Sequence, residues 1–426
     1  MKQFMNLLKN SGSPYQVVEC CEKQLKEAGF EKLKWDHLVA PGLGGRFYMK
    51  PYATMLIAFT TGAKRNFIQK IRMAVAHTDQ PCFRVKPNPE MEEKGYLKVN
   101  VETYGSPILS TWMDRPLGVA GKVVLKSDQV FKPRVELFDS KRPIGVIPNL
   151  AIHMNKEVNK GVELNRQKDM IPVLGMLNDQ YNKDDFFLNY LARELGTTKE
   201  EILDFDLFFY NADEPVLTGM SDEFISSPRL DNLASVQAVL QGLIEGTREN
   251  GMNMAVFYDN EEIGSKSKQG AGSNLIETIL RSIMMGNGML EGQYMESLAH
   301  SMYLSVDGAH GVHPNAVEKC DPTSQPILGK GVVIKVSGTQ KYTTDSEMIG
   351  VMKQLLNKWE IDYQTGIDRS DMAGGSTVGP ILSAILPIPG CDIGIPMLAM
   401  HSSREMAAAY DYQQLEKCIQ AFFSEK

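Results

Sequence analysis

Val256-Phe257-Tyr258-Asp259-Asn260-Glu261-Glu262-Ile263-Gly264-Ser265 ends a short apolar run, Met254 to Phe257, in four consecutive residues with carboxylate or amide side chains. An apolar run of that length, broken so abruptly, predicts a strand buried on both faces, as in a parallel sheet flanked by helices. Ligands of such sheets bind just beyond the carboxyl ends of the strands, which is where Glu261 and Glu262 fall. Adjacent carboxylates repel each other and favour water, so burying both calls for a compensating cation. Two roles are then physically natural for such a pair, one Glu to bind a metal and the other to move a proton. Taken alone, a Glu-Glu pair is more often a solvated acidic loop, so partners elsewhere in the chain decide.

On either side of this stretch the pattern of an α/β protein continues. Before it, Arg229-Leu230-Asp231-Asn232 leads into a helix with Leu233, Val236, Leu240 and Leu243 on one face and Gly246 beyond its end. Asp231 stands at that helix N-terminus, where an N-cap is a strong competing role. After it, Gly270 to Ser273 precedes a helix over 274–285, and Ser301 to Val306 reads as a strand ending in Asp307-Gly308-Ala309-His310. Gly331 to Val336 continues the sheet with Lys335 inside it, a costly place for an unpaired cation. Thr344-Asp345-Ser346-Glu347 predicts a capping box, followed by the stripe Met348, Met352, Leu355, Leu356 and Trp359. A glycine-rich turn at 374–380 precedes another helix, Cys391 to Ile395 is expected to close the strand set, and a terminal helix runs over 411–423.

Towards the N-terminus, Ser13-Pro14 starts a helix with Val17, Val18, Cys21 and Leu25 as its stripe. Met55 to Phe59 and Arg72 to Ala76 read as strands, and the second delivers Ala76-His77-Thr78-Asp79. A His and an Asp two apart at a strand end leave the same face, so Asp79 can hold the imidazole of His77. From about Pro87 the texture changes to short alternating strands such as Leu97-Val99-Val101, 121–125 and 134–137, closely spaced by turns. Helices are expected over 184–195 and 198–203. The expected organisation is one α/β domain, 1–86 plus 223–426, interrupted by a mainly β domain at 87–222. Within the latter, Ile147-Pro148-Asn149-Leu150-Ala151-Ile152-His153-Met154 is oddly apolar for a loop.

At 426 residues two domains are the default, and 43% hydrophobic with 23% charged residues is an ordinary globular composition. A formal charge of −7 argues against a nucleic-acid or anionic-membrane surface. No apolar stretch approaches the roughly 20 residues that span a bilayer, and Met1 to Asn6 carries no signal-like core. Six cysteines without Cys-x-x-Cys spacing predict a reducing, cytoplasmic setting. His37 and His300 are given no role.

His77, Asp231, Glu261, Glu262, Asp307 and His401 all follow expected strands or start helices, so all can meet on one edge of the sheet. Two imidazoles with several carboxylates suit zinc, manganese or cobalt. Five ligands with one bridging carboxylate suffice for a metal pair, which can clamp the oxygens of a hydrolytic transition state. Ala76-His77-Thr78-Asp79, Arg229-Leu230-Asp231-Asn232-Leu233-Ala234, Asp259-Asn260-Glu261-Glu262-Ile263-Gly264-Ser265, Asp307-Gly308-Ala309-His310, Gly375-Ser376-Thr377-Val378-Gly379-Pro380 and Met400-His401-Ser402 occur in that order. With these motifs the chain resembles the M18 metallopeptidases, the aspartyl aminopeptidase family, over nearly its whole length.

The resemblance implies a metallopeptidase fold with an inserted oligomerisation domain, assembled from dimers into a homododecamer. It implies His77, Asp231, Glu262, Asp307 and His401 as ligands of two divalent ions, zinc first and manganese or cobalt as alternatives, with Asp231 bridging. Glu261 matches the general base, deprotonating a metal-bound water, and Asp79 the residue that orients His77. Lys335 matches a pocket lysine for acidic first residues, His153 a histidine reaching a neighbouring subunit's site, and His310 falls with them on the substrate side. The expected activity is hydrolysis of the N-terminal residue of peptides, with Asp or Glu as the candidate preference. A broad or neutral-residue aminopeptidase and a related amidohydrolase are the enzymatic alternatives. A non-catalytic assembly protein is the other class, and an intact Glu261 argues against it. Gly308, Cys320 and Asn149 depart from frequent family residues, and none of them is a proposed ligand.

Overall fold

The computed structural model describes residues 1–35, 42–63, 70–179, 181–372 and 374–426; His37 lies outside them. Its centre is a nine-stranded mixed sheet in the order Glu31–Lys32, Arg46–Tyr52, Met55–Thr61, Met252–Tyr258, Ile71–His77, Met302–Val306, Gly390–Gly394, Val332–Val336 and Tyr363–Ile367. The four strands from Met252–Tyr258 to Gly390–Gly394 are mutually parallel, and all seven residues of Met252–Tyr258 are buried. Alternate side chains explain why the strands read as continuous apolar runs. Leu56, Ala58, Ala74, Ala76, Ala255, Phe257, Leu304 and Val306 face one core, packed by helices Pro14–Glu27, Leu230–Glu245, Ser346–Lys358 and Ala409–Ser424. Met55, Ile57, Phe59, Met73, Val75, Met254, Val256 and Tyr258 face the other, packed by Leu275–Gly286, Glu291–Ala299 and Val378–Ile385. Each such large side chain, fully buried, contributes about 1.5–3 kcal/mol.

Register then places the polar ends side by side. Tyr258 pairs with His77 in parallel, and the Thr78 amide donates to the Tyr258 carbonyl at 2.8 Å. Asp79 and the Glu pair therefore leave the sheet together, with Asp307 one strand further along.

A second, six-stranded antiparallel sheet lies between Cys82 and Asn211 in the order Arg134–Asp139, Leu117–Leu125, Ile202–Asn211, Cys82–Glu93, Tyr96–Tyr104 and Val173–Met176, with helix Phe186–Leu195 on its core. A five-stranded sheet, Val216–Thr218, Phe224–Ser227, Glu405–Ala408, Pro396–Leu398 and Ala309–His310, carries the loop that holds His401.

Several local expectations are corrected. The helix expected over 198–203 is one turn, Lys199–Glu201, before the strand Ile202–Asn211, where Phe205, Leu207 and Phe209 are buried. Continuous burial of Leu207 to Asn211 in the sheet overrides a helical start there. The cap expected at Thr344 is made instead by Asp345, whose carboxylate accepts from the Met348 amide at 2.8 Å. Gly390–Gly394 does not close the strand set, since Pro396–Leu398 and Glu405–Ala408 follow. Helices Lys2–Asn10 and Glu291–Ala299 were not anticipated; the first packs Phe4, Leu7 and Leu8 into the core.

Candidate active site

His77, Asp231, Glu261, Glu262, Asp307 and His401 come together at the carboxyl ends of the parallel strands. Among the described residues, three groups of donors lie with their ligand atoms within 4.8 Å of one another: His77–Asp231–Asp307, Asp231–Glu262–His401 and His77–Glu261–Glu262. The first two share Asp231. His77 Nε2 is 3.5 Å from Asp231 Oδ1 and 3.5 Å from Asp307 Oδ1, while His401 Nε2 is 3.6 Å from Asp231 Oδ2 and 3.4 Å from Glu262 Oε2. Such separations are long for direct hydrogen bonds. An ion held by two donors at about 2.1 Å spreads them roughly 3.0–3.5 Å apart at octahedral to tetrahedral angles. Asp231 Oδ1 and Glu262 Oε1 are buried without a hydrogen-bond partner among the described residues. Buried carboxylate oxygens left in that state cost several kcal/mol unless a cation faces them. The donors present therefore fit a pair of divalent ions.

Asp231 does not cap its helix. The N-cap position is Arg229, no side-chain cap bond forms, and Asp231 has non-helical φ −80° and ψ 107°. Its amide donates instead to Glu405 Oε2 at 3.0 Å, and Glu405 Oε1 accepts from the His401 amide at 2.8 Å. One buried carboxylate thus ties the helix start to the His401 loop. Burial and the charge of Asp231 push the Glu405 carboxyl well above its ordinary value.

Asp79 is the other tie. His77 Nδ1 donates to the Asp79 backbone carbonyl at 3.0 Å, leaving Nε2 free to ligate, and the Asp79 carboxylate stands 3.4 Å from the same nitrogen. That carboxylate also accepts from the Glu261 and Glu262 amides, both at 3.1 Å, and from the Tyr104 hydroxyl at 2.8 Å. Burial pushes the Glu261 carboxyl up to about 8, against the pull of His77 and with Asp307, Asp79 and Asp231 adding to it. Burial, then the charge of Asp231, likewise holds the Glu262 carboxyl well above its ordinary value.

Beside the cluster opens a cavity of about 340 Å³ lined by His310, Lys335, Tyr342, Cys320, Asp368 and Arg369 among others. Lys335 is only 4% exposed; its Nζ donates to the Gly308 carbonyl at 2.8 Å and lies 4.7 Å over the Tyr342 ring. Burial works against its charge, but Asp307, Tyr342 and Asp392 keep its pKa above the ordinary value. Gly308 leaves room that Met397 and Met400 fill, since a Cβ there would meet their methyl carbons at 2.9 and 3.1 Å. His153 is not brought to the cluster within the chain. It is exposed, in a loop where Leu150, Ile152 and Met154 are 60%, 50% and 74% exposed.

Sequence reasoning missed Glu405; Thr103-Tyr104-Gly105 belongs to the stretches that resemble the family, but no role is read from it or from Ser106. Glu405 stood four residues past His401 with nothing in its type to separate it from a surface acid.

The family described as "Aminopeptidase I zinc metalloprotease (M18)" matches residues 7–423. The chain is 43% identical over 424 residues to a "Probable M18 family aminopeptidase 2" of Clostridium novyi, covering 99% of this chain and 98% of that protein. Among solved structures it is similar to that of the Ape4 and Nbr1 complex, with TM-score 0.93 and 31% identity over 99% of this chain and 84% of the other. The S. cerevisiae mApe1 dodecamer shares the fold, with TM-score 0.85 at 23% identity over 99% and 95% of the two chains.

Proposed function

We propose, on the premise that this chain belongs to the M18 family and is a metallo-aminopeptidase, that His77, Asp231, Asp307, Glu262 and His401 hold two divalent ions and that Glu261 carries the proton. The observation behind this is the pair of donor groups sharing Asp231, with its Oδ1 and Glu262 Oε1 otherwise unpartnered. Zinc agrees with the family description and with imidazole–carboxylate donors, and manganese or cobalt suits the same set. Bound there, the ions supply Lewis acidity towards the scissile carbonyl and towards water.

The chain's own groups do the rest. Asp79 and Glu405 fix the backbone of the Glu pair, the start of the Asp231 helix and the His401 loop, so the donors need not reorganise. Glu261 accepts a proton as the water oxygen bonds to the carbonyl carbon, and returns it to the amine nitrogen as the C–N bond breaks. Divalent ions held by these residues would pull its carboxyl down from its raised value and favour the ionised form that accepts the proton.

For the first residue, Lys335 on the cavity wall supports a preference for Asp or Glu, with His310 beside it. The Asp368 carboxylate on the same wall supports a broad or neutral preference instead. An N-acyl amino acid amidohydrolase activity shares the same chemistry and is separated by the same panel. We further propose that 87–222 forms an inserted oligomerisation unit, consistent with its exposed apolar loop, and that the chain assembles as the mApe1 dodecamer does, with His153 reaching a neighbouring site. Six unpaired cysteines support a cytoplasmic location, and among the described residues no helix is long and apolar enough to cross a membrane.

The test is a panel of aminoacyl chromogenic substrates and N-acyl amino acids, run before and after chelation and with zinc, manganese or cobalt restored. Aminoacyl turnover should vanish with the metal and return on readdition. Turnover by fully stripped, folded protein would overturn the assignment.

A further inference from the structure

Tyr104-Gly105-Ser106 leaves the end of the strand Tyr96–Tyr104 in the second sheet and runs along the back of the metal-side residues. Tyr104 is 9% exposed; its hydroxyl donates to Asp79 Oδ2 at 2.8 Å and accepts from Asn260 Nδ2 at 2.9 Å. The same Asp79 holds His77 and both Glu amides. Two residues on, the Ser106 carbonyl accepts from His401 Nδ1 at 3.1 Å, which leaves Nε2 facing Asp231 and Glu262. The Ile108 amide then donates to the His401 carbonyl at 2.9 Å. Between these contacts Gly105, at φ +71°, lies flat against Glu262: a Cβ would meet Glu262 Cβ at 3.2 Å and the Pro81 Cα at 3.4 Å.

Three consecutive residues from outside the nine-stranded sheet thus back His77, Glu262 and His401 at once. We propose that Tyr104-Gly105-Ser106 is a positioning strap, through which the second sheet sets the orientation of both imidazoles and of Glu262, and so the retention of the metal ions and the turnover number. This rests on the reading of the cluster as a metal centre. The physical reason is that an imidazole ligates well only when its second nitrogen is held, and that such outer contacts change metal affinity or activity by roughly 10–100-fold. The second sheet is therefore coupled to the chemistry within a single chain.

Tyr104→Phe removes one oxygen and keeps the ring packed on Phe208, centroids 5.7 Å apart. In the intact assembled enzyme, release of zinc to a chromophoric chelator should become about tenfold faster, and kcat should fall about tenfold with KM within twofold. Gly105→Ala should lose zinc faster still, since both its backbone conformation and Glu262 are displaced. Phe138→Leu, a lesion in the core of the same sheet, should lower Tm without changing zinc release, which separates positioning from general loosening. Asp231→Asn serves as the reference for the centre itself. If wild type holds zinc and Asp231→Asn does not, yet Tyr104→Phe releases zinc and turns over as wild type does, the strap is overturned while the metal centre stands. If wild type holds no divalent ion, the metal reading fails and the strap with it.

Discussion

Asp231 is the residue on which the metal-pair reading depends, because both donor groups use it. Asp231→Asn keeps the shape and removes the charge that faces two cations. Metal content by elemental analysis should fall from two ions per chain to one or none, and the stripped protein should melt lower than wild type at neutral pH, since His77 and His401 hold the Asp231 carboxyl below its ordinary value against burial. Full occupancy in the variant would show that it does not bridge. Lys335 decides specificity. Lys335→Met should lose Asp and Glu substrates at least tenfold more than Leu or Ala substrates if its ammonium meets an acidic side chain. A uniform loss across the panel would mean that the lysine serves only Asp307, Asp392 and the Gly308 carbonyl.

Single contacts also pin whole elements, and Glu22 shows it for the helix Pro14–Glu27. Its buried carboxylate accepts from Tyr48 at 3.1 Å, faces Lys50 of the strand Arg46–Tyr52 at 3.1 Å, and meets Lys32 at 2.8 Å and Lys26 at 3.0 Å. Burial alone would raise this carboxyl, but the hydrogen bonds of Lys32 and Lys26 and the charge of Lys50 hold it at about 2, against an ordinary 4.5. A depressed pKa stabilises the fold above the unfolded value and is lost as pH falls through the folded one. Glu22→Gln should therefore cost about 2 kcal/mol at pH 7, discounted because Lys26 and Lys32 are half exposed, and nearly nothing near pH 2. A cost independent of pH in melts between pH 2 and 7 would show that the ion cluster contributes nothing. Elements of this kind were legible where one physical cause dominated. Strands buried on both faces show as apolar runs, and their polar ends mark the site, so His77, Glu261, Glu262 and Asp307 could be picked out. What stayed hidden acts through the backbone. The Asp79 and Ser106 carbonyls hold the two imidazoles, and any residue type supplies a carbonyl. The strand Ile202–Asn211 escapes the sequence reading altogether, which assigns its first two residues to the helix expected over 198–203 and no element to the rest.

At the scale of the molecule, an exposed His153 amid exposed Leu150, Ile152 and Met154 has no partner role within one chain among the described contacts. In a symmetric assembly a residue can complete its neighbour's site, and halves can then complement each other. His153→Phe and Glu261→Gln assemblies should each be nearly inactive, and should regain part of the activity when dissociated, mixed and reassembled. Verified mixed oligomers that recover nothing would place His153 in packing alone. Beneath assembly, specificity and bracing lies one claim, that a metal pair and the Glu261 carboxylate together perform the hydrolysis. The direct measurement is metal content and turnover on the same sample of Glu261→Gln. The account predicts two divalent ions per chain, as in wild type, with kcat lower by at least about 100-fold; near-normal turnover by the fully loaded variant would contradict it.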